Sequence, residues 1–75
     1  MMKTKEEIVL ELSEISIDYE VDASATCKRI DRALTDNGFV QGGGEMARVE
    51  RWYRGEEFIM LSYDPEHNRV GISSD

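Results

Sequence analysis

Seven carboxylates and no base occupy the seventeen residues from Glu6 to Asp22, EEIVLELSEISIDYEVD. Carboxylates in that number can serve as general acids when burial raises a pKa, as metal ligands when they converge, or as a docking surface for a cationic partner. Spacing favours the third use. At helical pitch Glu7, Glu11, Glu14 and Asp18 follow i, i+4, i+7 and i+11, forming one stripe. At strand pitch Glu14, Asp18, Glu20 and Asp22 share a face, so the row survives either reading. Neither Lys3 nor Lys5 is expected inside it. Like charges at i, i+4 cost a helix a few tenths of a kcal/mol per pair. With a helix pitch of about 5.4 Å, the carboxylates repeat on a scale comparable to nucleic acid phosphates and suit a basic groove. The plainer alternative is a solvated face that keeps a small protein soluble.

The remaining chemistry-bearing residues are sparse. His67 is the only histidine and Cys27 the only thiol, placed in different elements, so a nucleophilic dyad or triad has little to draw on. Asp64, Glu66 and His67 share one turn, but adjacent turn residues do not readily converge on an ion, and no metal or cofactor is expected. Gly42-Gly43-Gly44 lacks the Lys and Ser/Thr of a phosphate-binding loop and reads as a hinge. Lys28, Arg29 and Arg32 form a small basic patch. Arg48, Arg51 and Arg54 flank Trp52 and Tyr53, a mixture that RNA-binding sheets use for phosphate contact and base stacking. Alternation along a strand divides these arginines between faces, with Glu45, Glu50, Glu56 and Glu57 close by, so cross-strand ion pairs compete with that use.

Nine bases against sixteen acids give a net charge of −7, which repels phosphate and anionic membranes and attracts a basic partner. A hydrophobic content of 40% is enough for one small core in 75 residues, so residues 1–75 are expected to form a single domain. No apolar run approaches the roughly 20 residues that span a bilayer. A lone cysteine and the lack of a signal-peptide pattern suggest a reducing, cytoplasmic setting.

Elements that would position these residues follow from periodicity. Thr4 and Glu7 have the form of a capping box, and Ile8, Leu12, Ile15 and Tyr19 make a helical stripe, predicting a helix that frays after Ile17. Alternation from Ile15 to Val21 supports a rival, residues 8–21 as a bulged strand. A second helix is predicted from Asp22 or Ser24 to Asn37, with Ala23, Cys27, Ile30 and Leu34 on its inner face, Ala33 beside them and Gly38 as terminator. Strands are predicted at Met46–Tyr53, Glu57–Tyr63 and Arg69–Ser73, with a possible fourth at Phe39–Gln41; Phe58-Ile59-Met60-Leu61, apolar on both faces, reads as central. The expected class is α+β, two helices on a three- or four-stranded antiparallel sheet, with β-α-β-β-β as the alternative.

Size, the acidic row in EEIVLELSEISIDYEVD and the want of an active-site motif together resemble small acidic phage-encoded inhibitors of the anti-CRISPR or nucleic acid mimic type. That resemblance implies a non-enzymatic protein that docks on a basic, nucleic-acid-binding surface through Glu7, Glu11, Glu14, Asp18, Glu20 and Asp22, with no direct nucleic acid binding and no membrane. A second resemblance, over about half the chain, is to HicA-type toxins: RIDRALTDNGF, then ARVERWYRG and EEFIMLSYD, is similar to their helix, Gly-Phe step and sheet. It implies a small RNA-binding or ribonuclease module using Arg48, Arg51, Trp52, Tyr53 and His67, although nothing in Gly42 to Tyr53 supplies the strand histidine those toxins carry. A third possibility is a subunit that pairs through Phe58–Tyr63 or through an edge strand.

Overall fold

A computed structural model describes residues 2–42 and 48–74. Helix α1 spans Lys5–Ser16 and passes into a 3-10 turn at Ile17–Glu20; helix α2 spans Ala23–Asp36. Four strands follow: β1, Val40–Gln41; β2, Val49–Arg54; β3, Glu57–Asp64; and β4, Arg69–Ser74. They form one antiparallel sheet in the order β1-β2-β3-β4. The protein is therefore α+β, and residues 8–20 are helical, with Val21 in the turn that follows, so this segment is not a bulged strand.

Helix wins in the first segment because both ends of the argument are satisfied. Thr4 accepts a hydrogen bond from the Glu7 amide at 3.2 Å, and the Glu7 carboxylate accepts from the Thr4 amide at 3.0 Å, closing a capping box. Ile8, Leu12, Ile15 and Tyr19 all point into the core. The change to a tighter helix at Ile17 falls where the β-branched, alternating run begins. It leaves Ile17 and Val21 exposed.

Asp22 caps α2 by accepting from the Ala25 amide at 3.0 Å. The helix ends in a Schellman motif: Phe39 N–H donates to Leu34 C=O and Gly38 N–H to Thr35 C=O, with Gly38 at φ +81°. Its buried face is Thr26, Ile30, Ala33 and Leu34. Ala23 is exposed and Cys27 only half-buried, so the expected inner face is rotated towards Thr26.

Gly55, at φ +61°, and Glu56 form the two-residue link between β2 and β3. Strand β3 is central, as its apolar run predicts, and is paired on both sides by β2 and β4. Trp52, Ile59 and Leu61 face the helices and complete the core with Phe39, while Val70 and Ile72 pack at its margin. The predicted strand start at Met46 and the glycines Gly43 and Gly44 lie outside the described residues.

One side chain ties the periphery together. Arg54 donates to the carbonyls of Lys3 (2.9 Å) and Asn37 (2.8 Å) and to the Glu57 carboxylate (2.8 Å), and its guanidinium lies 4.8 Å from the centre of the Phe39 ring. Beside it, buried Asn37 accepts from the Lys3 amide and donates to the Ala33 carbonyl. The segment before α1, the end of α2 and the β2–β3 hairpin thus meet at one point.

Candidate functional site

The acidic row occupies one flank of α1, but the structure partners much of it. Glu7 is engaged in the capping box, and Asp22 caps α2. Lys3 does lie on the row, contrary to expectation, with its Nζ 2.6 Å from Glu11 Oε2; the chain before Thr4 turns back far enough to reach it. Arg29 reaches across from α2 to Asp18 at 2.9 Å. Among the described residues Glu14 and Glu20 make no ion pair. The Lys3 and Arg29 pairs lie at the surface, where ion pairs contribute little and exchange readily for another partner. Glu11 raises the Lys3 pKa through its hydrogen bond first and its charge second.

Between the two helices this flank borders an open groove of about 430 Å³, lined by Glu11, Glu14 and Ile15 of α1 and by Arg29, Arg32, Ala33 and Asp36 of α2. The patch of Lys28, Arg29 and Arg32 therefore sits beside the acidic row, not apart from it. A helical wheel could have shown this once α2 was docked antiparallel to α1. The sequence alone gives no docking angle.

The arginine and aromatic group is divided by the pleat. Trp52 is 3% exposed, in the core, with Nε1 donating to Glu50 at 3.2 Å, so it is removed from any base-stacking surface. Arg51 and Tyr53 face away from the helices, where Phe58 and Met60 lie opposite them on β3. The Tyr53 and Phe58 rings are 5.2 Å apart and tilted by 40°. Arg48 precedes β2, is exposed, and offers its carbonyl to the Tyr63 amide. His67 lies in the β3–β4 turn with Nδ1 2.7 Å from Asp64, and Asp64 itself is six residues beyond Phe58 along β3, or about 20 Å at strand rise. The structure does not bring it to Arg51 and Tyr53.

A polar cluster not anticipated from the sequence lies where α2 meets the sheet. Cys27 and Asp31, one turn apart on α2, face Glu50 of β2 and Tyr63 of β3; Glu50 Oε1 accepts from the Tyr63 hydroxyl at 3.4 Å as well as from Trp52. Burial, then the Glu50 charge, pushes the Tyr63 pKa upwards, so its hydroxyl stays protonated as a donor. Burial likewise pushes the Cys27 thiol up, the reverse of what an activated nucleophile needs. Asp31 is raised by desolvation and then by Glu50, and its Oδ1 is buried without a partner. The i, i+4 spacing of Cys27 and Asp31 was the only sequence signal. Among the described residues, no three His, Cys, Asp or Glu side chains are grouped to hold a metal, and no helix is long and apolar enough to cross a membrane.

No protein-family model, no curated protein and no solved structure matches the chain.

Proposed function

We propose that the protein is a non-enzymatic acidic binding module, and that the α1 flank docks on a basic, nucleic-acid-binding surface of a partner as an inhibitor of the anti-CRISPR or nucleic acid mimic type. The observation that carries this reading is the run of Glu7, Glu11, Glu14 and Asp18 along one side of a capped helix, in a chain of net charge −7. At 1.5 Å per residue the row advances by roughly 5–6 Å per carboxylate, within reach of successive lysines or arginines in a phosphate-binding groove. Lys3 and Arg29 act as exchangeable placeholders, since exposed pairs of this kind are worth little and a partner's bases can replace them. Glu14 and Glu20 add charge, and among the described residues neither has an ion pair to break.

Electrostatic docking of this kind speeds association and weakens steeply with salt. The test is capture from the native host on immobilised protein, with Glu11→Lys plus Glu14→Lys as control and duplex DNA as competitor. The expected result is one or a few nucleic-acid-binding proteins retained by the unaltered chain, released by salt or DNA and absent from the double variant. Equal retention by both chains overturns the reading.

A second reading, RNA binding, is favoured by a different observation: Arg51, Tyr53, Phe58 and Met60 share the sheet face opposite the helices. Gel shift with single-stranded RNA at low salt separates the two. A shift lost on Tyr53→Ala supports RNA binding, and no shift supports the acidic binder.

A further inference from the structure

We propose that the protein forms a two-fold symmetric homodimer in which the β4 edges of two copies pair antiparallel, with the two α1 helices packed across the seam. The first ground is the edge itself. The Tyr63 amide donates to the Arg48 carbonyl, which turns the odd-numbered residues of β3 towards β2 and the even-numbered ones towards β4. Through the β3–β4 register, Met60 pairs with Ser73 and Ser62 with Gly71, so the amides and carbonyls of Val70, Ile72 and Ser74 turn outward. Strand β4 is six residues long with no proline, no lysine and no charge after Arg69, so it carries none of the usual devices that block an edge. At the opposite edge, β1 has only two residues. An antiparallel pair of identical strands is its own complement, as a two-fold axis requires. An axis at Ile72 sets that residue opposite its own copy and Val70 opposite the Ser74 of the other chain.

The second ground is the helix above that edge. α1 packs on β4, and its charged flank faces α2. The other flank carries Lys5 and Glu6 in its first turn and only Val9, Ser13 and Ser16 beyond it, and both hydroxyls are already bonded within the helix, to the Val9 carbonyl at 2.9 Å and the Ser13 carbonyl at 2.8 Å. Next to it stand Leu10, 66% exposed, and Ile17, 70% exposed, two of the largest apolar side chains left in solvent. A small, satisfied flank bordered by exposed aliphatics suits close helix packing.

Dimensions agree. Strands lie about 4.8 Å apart and packed helices 8–10 Å apart, so two helices cover four strands and four cover eight at even spacing. Continuing the sheet through β4 brings the two α1 helices to contact distance without rearrangement. A stable dimer needs about 800 Å² from each partner, roughly one sixth of the 5015 Å² surface, and a strand edge about 20 Å long beneath a helix flank of similar length is of that order. Val70 and Ile72, half-buried at the core margin, complete their burial against the same residues of the other copy.

The experiment is light scattering coupled to size exclusion at on the order of 100 µM, where a Kd near 1 µM leaves mostly dimer. It is read with amide hydrogen exchange and repeated for Ser13→Arg and, separately, Ser74→Pro, which removes an outward N–H without touching the bonds to β3. The expected result is twice the 8.6 kDa chain mass, with slow exchange at Val70 and Ile72. Both variants should shift towards the single-chain mass, with those amides exchanging fast and the circular dichroism unchanged. A single-chain mass for the unaltered protein overturns the proposal. So does a dimer in which Val70 and Ile72 exchange freely, because that dimer uses another face.

Discussion

Arg54→Ala should be among the most damaging substitutions of a charged residue in this chain. The guanidinium donates to two main-chain carbonyls that come from separate segments, and its side chain is only 20% exposed. Hydrogen bonds from a charged donor are worth about 1.5–3 kcal/mol, but one nitrogen serves both carbonyls here, so about 2 kcal/mol for the two together is the safer figure. The Phe39 ring adds about 0.5–1 kcal/mol. Glu57, 41% exposed, adds less than about 1 kcal/mol. The total is about 3 kcal/mol, against a whole-domain stability of roughly 4–11 kcal/mol at this length. With a urea m-value of about 1 kcal/mol/M, equilibrium unfolding should show the midpoint falling by about 3 M. Arg54→Lys should recover only part of the loss, because an ammonium lacks the planar fork that serves Glu57 and the carbonyls at once. Arg69→Ala, whose side chain is 73% exposed and 3.8 Å from Asp64, is the control and should cost under about 0.5 kcal/mol. Equal costs for Arg54→Ala and Arg69→Ala would refute the assignment of Arg54 as the tie between α1, α2 and the hairpin.

Asp22 has two assignable roles that separate cleanly: Asp22→Asn keeps the cap and removes the charge, whereas Asp22→Ala removes both and should cost about 1 kcal/mol in thermal or urea unfolding. Asp31→Asn should stabilise the protein at pH 7 and have little effect near pH 3. A carboxyl whose folded pKa is raised lends stability that is complete below its unfolded pKa and is lost as pH rises through the folded value. Because Asp31 is only half-buried, screening keeps the gain below about 1 kcal/mol, and a melting temperature at pH 7 that falls in the variant contradicts the account. Thr4→Ala should lower stability by about 1 kcal/mol through the capping box, and fraying of α1 seen by amide exchange at Glu7 checks it.

Local signals were legible where chemistry and geometry act within a few residues. Thr4 with Glu7 and Gly38 at the helix end each specify a terminus from sequence alone, and the structure realises both; for the start of α2 the sequence offers Asp22 or Ser24, and the structure takes Asp22. Phe58 to Leu61 announced a central strand because a strand paired on both sides has no polar edge to maintain. What could not be read is how elements dock. Lys3 joins the acidic row only because the chain before the cap bends over it, and Arg29 only because α2 lies alongside. Trp52 looked like part of a basic aromatic surface, yet strand parity sends it to the core while its neighbours Arg51 and Tyr53 turn outward. The Cys27, Asp31, Glu50 and Tyr63 cluster draws on three elements, so no local pattern contains it.

The packing of α1 on β4 joins segments far apart along the chain. Ile8 and Leu12 share a core with Val70 and Ile72 at its margin, a separation of roughly sixty residues, so the loop that closes the core is almost the whole chain. Its closure entropy must be met before those contacts return any stability, whereas β4 meets β3 locally through the Asp64–Arg69 hairpin. During synthesis α1 and α2 leave the ribosome with their apolar faces bare and wait for strands that come later. The acidic flank of α1 then keeps that waiting segment apart from its own copies, a service it can render before any partner is met.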